Sequence, residues 1–325
     1  MRLFDVLGPV MTGPSSSHTA GAVRIGSTAR RLLGEQPAGA EILLYGSFAA
    51  TGRGHGTDKA LVAGLLGMQP DDDRIPRSFA IAKETGLHFK IGTINLRGAH
   101  PNTAVLRLTG VSGRKLEVVG ASIGGGRINI CQIDGITTNF GGDHNTLIVH
   151  NQDTPGHVAA VTGCRHGAGM RRADSGRRPR RACLPAGHRQ SHHPKSVRGA
   201  GKMAFSSVRD MVELCKESGK PLYEVILESD LAESGLTRAE SEAEMHRLWA
   251  VMRSTSDGYC GADRSMSGFA GGDAAKVSAA AAQGALYADG FFADVMSEAL
   301  KTAECNACMK RIVAAPTAGS CGVLP

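Results

Sequence analysis

Residues 164–202 split this chain into two unlike parts, and any fold it adopts must accommodate the split. The segment has neither the two-residue period of a strand nor the 3.6-residue period of a helix. It holds nine Arg and two Lys against a single acid, Asp174, a local charge of +10 in a chain of 325 residues whose total is +7. Everything outside it therefore sums to about −3, and the basic character belongs to one island. No aromatic residue stands inside the island, which argues against a stacking platform for single-stranded nucleic acid. Eight cysteines are too sparse for a disulfide scaffold. With no long apolar run and no leader pattern in residues 1–13, the expectation is a soluble, cytoplasmic protein with neither nucleic-acid nor membrane partners.

The part before the island alternates. Residues 41–48, 89–95, 103–109, 115–119 and 127–133 read as strands, and 20–33 and 57–66 as helices, with glycine turns at Ser112-Gly113 and Gly124-Gly125-Gly126. One sheet with helices against it is the economical arrangement. From Asn145 the pattern is a strand, a turn through Asp153, Thr154, Pro155 and Gly156, and the start of a helix that stops at Gly163. After the island the pattern is helical: 207–218, a helix starting at 221, a capping box at Thr237-Arg238-Ala239-Glu240 leading a helix with Met245, Leu248, Trp249 and Met252 on one face, and an alanine-rich stretch, 274–300, expected to be buried. The fold class is α+β.

Chemistry gathers at a few turns. Ser15, Ser16, Ser17, His18 and Thr19 stand just before a predicted helix, whose N-terminus favours a carboxylate or phosphate. The plainer reading is that Ser17 or Thr19 is an N-cap, but three serines and a histidine exceed what a cap requires. Gly54-His55-Gly56-Thr57-Asp58 again places a histidine before a helix, with Thr57 or Asp58 to cap it. Residues 265–274, SMSGFAGGDA, form a glycine-rich approach to a helix that reads equally as an anion seat or a capped loop. Cys321, among Gly319, Ser320 and Gly322, reads as an accessible loop thiol suited to thiolate chemistry or metal ligation. A zinc site from Cys183, His188 and His192 or His193 is disfavoured, since nothing ordered flanks it.

Taken in order, PSSSHT at 14–19, GHGTDKA at 54–60, HPNT at 100–103, SIGGG at 122–126, SMSGFAGGDAAK at 265–276 and RIVAAPTAGSCGVLP at 311–325 resemble the bacterial iron–sulfur-dependent L-serine dehydratases, or L-serine ammonia-lyases. The resemblance implies that residues 1–144 are an α/β substrate-binding-like β domain and 145–163 the remnant of a regulatory ACT domain. It implies a basic disordered segment at 164–202, left by a disrupted reading frame, and at 203–325 the first part of the helical, cluster-bearing α domain. It further implies deamination of L-serine to pyruvate and ammonia, with a 4Fe–4S cluster as Lewis acid, in a homodimer or larger oligomer serving amino-acid metabolism and gluconeogenesis. Ser15, Ser16, Ser17, Thr19, Ser122 and Gly124 would gather the substrate; His18 or His55 would act as acid or base; Cys321 would be one cluster ligand. The family's other two cluster cysteines lie downstream of the position matched by Pro325, so the expectation is a chain that does not hold a normal cluster alone. Cys305 and Cys308 have ligand-like spacing with Cys321, but stand on a predicted helix where the family has apolar or small polar residues, and are read as unligated, as are the other cysteines. The alternative reading is a non-catalytic, amino-acid-binding regulator.

Overall fold

The computed structural model describes residues 3–142, 146–150, 181–185, 205, 207–286 and 290–324. The chain opens with α1 (Leu3–Val6) and β1 (Val10–Thr12). A π-helical turn, Ser16–Ala20, then runs directly into α2 (Gly21–Leu33). After β2 (Pro37–Tyr45) come α3 (Ser47–Thr51), α4 (Thr57–Leu65) and α5 (Ser78–Glu84). The strands β3 (His88–Thr93), β4 (Thr103–Gly110), β5 (Lys115–Gly124), β6 (Arg127–Ile133) and β7 (Ile136–Phe140) complete a six-stranded sheet in the order β3-β2-β4-β5-β6-β7. Only the β2–β3 pair is parallel. The strand expected over 41–48 ends at Tyr45, because Gly46 turns the chain at φ +58° and puts Phe48, fully buried, on α3 instead.

Alternation along the strands decides the sheet's two faces. Ala40, Ile42 and Leu44, with Ala104, Leu106, Leu108, Leu116, Val118, Ile128 and Ile130, form one core with Val23, Ile25, Ala29, Leu61 and Leu65 of α2 and α4. Each buried Leu or Ile contributes roughly 1.5–3 kcal/mol. Charges line up in register elsewhere on the sheet: Glu41 pairs with Lys90 at 3.5 Å and with Arg107 at 3.1 Å, and Arg107 with Glu117 at 2.7 Å. These exposed pairs fix register more than they stabilise. The crossing of α2 over α4 is closer than side chains allow: a methyl added at Gly64 would lie 2.2 Å from the carbonyl oxygen of Val23 and 2.9 Å from Cα of Gly26. Backbone touches backbone there, so only glycine fits. The crossing also sets the start of α2 beside the loop that leads into α4.

A strand expected after Asn145 is present as β8 (Thr146–His150), paired antiparallel with β9 (Arg181–Pro185). The latter is the part of 164–202 that the structure describes. The rest of that segment, and the turn and helix start expected at 151–163, lie outside the described residues.

The helical part consists of α6 (Val208–Ser218), α7 (Leu222–Ser234), α8 (Arg238–Asp257), α9 (Asp273–Ala282) and α10 (Gly290–Ala307), followed by β10 (Arg311–Val313) and a short 3₁₀ turn at Ala318–Ser320. The capping box predicted at Thr237 is formed in full with Glu240, and a second joins Ser207 to Asp210; each is worth about 1 kcal/mol. On α8, Leu248 and Met252 are buried as expected, but Trp249 is 45% exposed. The alanine-rich stretch is largely exposed as well, with Ala274, Ala293 and Ser297 buried while Phe291, Phe292, Val295 and Met296 face outward. Alanine forms helix whatever it packs against and carries little apolar area, so its abundance says nothing about burial. The two parts of the chain are joined by an antiparallel sheet of β1 and β10, with Met11 opposite Ile312 and Thr12 opposite Arg311. Met11, Ala20, Ile312, Ala314, Ala318 and Cys321 form one shared apolar cluster, and Val313, Ala315, Leu248, Val251 and Met252 with Phe4, Leu7 and Val10 another.

Candidate functional site

The serine-rich motif winds up one turn earlier than its sequence suggests. Ser15, rather than Ser17 or Thr19, is the N-cap, and its Oγ accepts from the backbone N–H of His18 at 3.1 Å. The π-helical turn widens the backbone there, and the carbonyl of Ser16 accepts from the N–H of Gly21 as α2 begins. This places the His18 ring inside the molecule, 8% exposed, with both nitrogens engaged. Nδ1 lies 3.3 Å from Ser15 Oγ and 3.2 Å from Ser17 Oγ; Nε2 lies 3.0 Å from both Ser47 Oγ and Thr51 Oγ1.

The hydroxyl partners of His18 provide the basis for assigning its tautomer. Thr51 Oγ1 already donates its one proton to the carbonyl of Ser47 at 2.9 Å, so toward His18 it accepts. On that basis the ring proton is assigned to Nε2, with Nδ1 the lone-pair nitrogen facing the hydroxyls of Ser15 and Ser17. Burial, and then the neighbouring His55, hold the His18 pKa below the ordinary imidazole value, against a smaller opposite effect from Ser47. Neutral His18 is therefore the dominant form near pH 7, as a proton acceptor requires.

His55 stands edge-on to His18 with ring centroids 4.7 Å apart, and Phe48 is likewise edge-on to it at 5.3 Å. Thr19 Oγ1 donates to the His55 carbonyl at 3.0 Å, tying the two loops together. Neither Thr57 nor Asp58 caps α4, contrary to expectation: Gly56 occupies the N-cap position without a side-chain bond, and Asp58 accepts from its neighbour Lys59. Ser122 is fully buried at the end of β5 and touches the start of α2, since a methyl added at Gly21 would fall 2.2 Å from its Oγ. Ser122 Oγ and His55 Nδ1 are buried polar atoms with no hydrogen-bond partner among the described residues. An unmet ring nitrogen on the histidine beside His18, and an unmet hydroxyl against the start of α2, are groups a small polar ligand would satisfy. Gly124, φ +100°, shapes the turn beyond Ser122. Ser47 and Thr51 were missed in the sequence; their i,i+4 spacing on one helical face was the available signal.

The other motifs resolve differently. At 265–274 the N–H groups of Gly272, Asp273 and Ala274 donate to the carboxylate of Glu304 at 2.9, 2.7 and 3.3 Å, and Tyr259 Oη adds a fourth bond at 2.6 Å. The glycine-rich approach to α9 is thus an anion seat, taken by a buried side chain of α10. Cys321 is 1% exposed within the cluster shared by both parts of the chain, not an accessible loop thiol. Its position depends on Met11 and Ala20, far away in sequence, which local composition does not report. Burial pushes the thiols of Cys321 and Cys305 up to about 11, and each donates to a carbonyl, of Thr302 and Thr255.

A cluster held by three cysteines needs three converging thiolates. Among the described residues, no three of His, Cys, Asp and Glu converge to hold a metal. Cys321 and Cys305 therefore lack a converging third donor among the described residues, and no step is assigned to a cluster. Nor, among the described residues, is any helix long and apolar enough to cross a membrane.

Comparison with known proteins separates the chain at the same place as its composition. Residues 3–132 match the family model for the serine dehydratase beta chain, and residues 217–325 that for the serine dehydratase alpha chain. The first region is similar to the L-serine dehydratase beta chain of Peptoniphilus asaccharolyticus, 44% identical over 160 residues, covering 49% of this chain and 72% of that protein. The second is similar to the alpha chain from the same organism, 31% identical over 122 residues, 37% of this chain and 42% of that protein. L-serine dehydratase 2 of Escherichia coli (strain K12) is 26% identical over 362 residues, spanning 100% of this chain and 64% of that protein.

Proposed function

Because this chain belongs to the serine dehydratase family, with beta-chain and alpha-chain regions in one polypeptide, we propose that it receives L-serine at the His18–His55 site as an L-serine ammonia-lyase. The observation that carries the assignment is the buried His18 ring, with Nδ1 presented to Ser15 and Ser17 while Ser122 Oγ and His55 Nδ1 stand without partners among the described residues. L-serine brings a carboxylate, an ammonium and a hydroxyl. The hydroxyls of Ser15, Ser17 and Ser122, with the backbone at Ser16 and Thr19 and the turn at Gly124, suit the carboxylate and hydroxyl. Deamination to pyruvate and ammonia begins with loss of a weakly acidic α-proton, and Nδ1 of His18 is the atom best disposed to take it, with Nε2 steadied by Ser47 and Thr51. His55, edge-on to that ring, then orients His18 and disfavours a charged imidazolium before substrate arrives.

The same proposal covers the parts of the chain around the site: a substrate domain over 1–144, an ACT-type beginning at 145–163, a helical domain over 203–325, and a cytoplasmic oligomer. That no three metal-ligating side chains converge among the described residues favours one second reading, in which the site binds an amino acid without turning it over.

Calorimetric titration with L-serine, alongside pyruvate release, tests both. His18→Gln and Ser122→Ala should each weaken binding about tenfold, or about 1.4 kcal/mol. Binding without pyruvate supports the second reading. Binding unaltered in both variants removes the site.

A further inference from the structure

One residue of the alpha-type region lies inside the core of the beta-type region. Met309, just past the end of α10, is 6% exposed and belongs to the same apolar cluster as Val23, Ile25 and Leu61. Its backbone is left-handed, φ +59°, a conformation that disfavours any residue with a Cβ. Three hydrogen bonds hold it there: Met309 N–H donates to the carbonyl of Asn306, Lys310 N–H to that of Cys305, and Gly13 N–H to that of Lys310. The last bond ties this turn to the residue that precedes the Pro14–Thr19 motif.

The side chain reaches the other histidine loop. A methyl added at Gly56, next to His55, would lie 2.7 Å from Cε and 3.0 Å from Sδ of Met309; one added at Gly13 would lie 3.2 Å from the same Cε and 2.9 Å from Thr19 Cγ2. Both glycines also have positive φ, +65° and +100°. A flexible thioether has thus been seated between two bare backbones, Gly56 next to His55 and Gly13 two residues before Ser15 and five before His18.

We infer that Met309 is a positioning residue: its thioether, carried on a left-handed turn of the alpha-type region, wedges between Gly13 and Gly56 and sets the spacing of the His18 and His55 loops. Strain at one backbone position persists where the surroundings determine it, and such positions gather at functional sites. The inference takes its meaning from the two-histidine site proposed above, but its test needs no substrate, so the two can fail separately. The titratable neighbour of His18 is His55; its other partners are the hydroxyls of Ser15, Ser17, Ser47 and Thr51 and the ring of Phe48.

In the unmutated chain, labelled with [ε-¹³C]methionine and assigned with M309L, the Met309 methyl resonance should follow the histidine titration between about pH 5 and 8. In M309G, where glycine suits the backbone and the wedge is gone, His18 should titrate at a higher pH as His55 moves away, while M309L keeps the original midpoint. A methyl resonance that stays flat across that range overturns the inference. So does an M309G chain, folded and less stable, whose His18 midpoint equals that of the unmutated protein. Should M309G fail to fold, the methyl titration alone decides.

Discussion

Gly64→Ala puts the placement of the site to the sharpest test, because two effects of known size oppose each other. Gly64 lies within α4, where alanine is the better helix former by about 1 kcal/mol. Taken alone, that gain would stabilise the protein. The new methyl, however, would sit 2.2 Å from the Val23 carbonyl oxygen, 2.7 Å from the Ser27 nitrogen and 2.9 Å from Cα of Gly26. Ordinary contact begins at 3.4 Å, so α2 and α4 must part by about 1.2 Å, and none of the three atoms belongs to a side chain that could rotate away. A gap of about 0.5–1 Å forfeits a quarter to a half of the dispersion energy of each contact across the crossing, and here those contacts include Val23, Leu61 and Leu65. Overpacking costs about 1–3 kcal/mol, and with three clashes against backbone the upper end applies, so after the gain of about 1 kcal/mol the net effect should be a loss of about 2 kcal/mol. Urea unfolding should give a lower midpoint at an unchanged m value, and the His18 titration should move because the crossing also spaces His18 from His55. A G64A chain as stable as the unmutated one, or more so, would refute the claim that backbone contact between the two helices positions the histidines.

Three further outcomes follow from particular side chains. Glu304→Ala should cost about 3 kcal/mol, since three N–H donors of the α9 N-terminus and Tyr259 Oη lose their acceptor, whereas Glu304→Gln, which keeps an oxygen and loses the charge, should cost about half as much; equal unfolding midpoints for the three chains would contradict the anion-seat account. Because burial and His55 hold the His18 pKa low in the folded state, the unfolded chain takes up that proton first on acidification. Its contribution is therefore intact above about pH 6.5 and is lost as the pH falls through the lower folded value; the stability difference between the unmutated protein and H18Q should narrow or reverse on acidification, and a difference that widens would break the argument. Finally, alkylation with iodoacetamide near pH 7 should label exposed Cys260 well before Cys305 and Cys321, whose buried thiols are pushed up to about 11, and mass spectrometry showing Cys321 among the first labelled would restore it as an accessible thiolate.

What could and could not be read from the sequence divides along the distance over which each feature is determined. The α2 helix, the Thr237 capping box and most strand positions depend on residues within one or two turns of each other, and period and capping chemistry carry them. The position of Ser15 as cap is equally local, but it is hidden, because a π-helical turn shifts the winding by a residue and no apolar period marks it. Longer-range features leave no such trace. GGDA at 271–274 announces an anion seat, yet the carboxylate that fills it is Glu304, on the next helix, and only packing brings α10 across the N-terminus of α9. Cys321 reads as exposed because its neighbours are glycine and serine, while its actual surroundings, Met11 and Ala20, arrive through the β1–β10 pairing of the two ends of the chain. The same pairing brings Met309 to Gly13 and Gly56. A glycine in a loop is usually read as freedom for its own backbone; at Gly13 and Gly56 the space that glycine leaves is filled by a side chain from about 250 residues or more along the chain, so the loops carrying His18 and His55 take their spacing from the alpha-type region rather than from their own sequence.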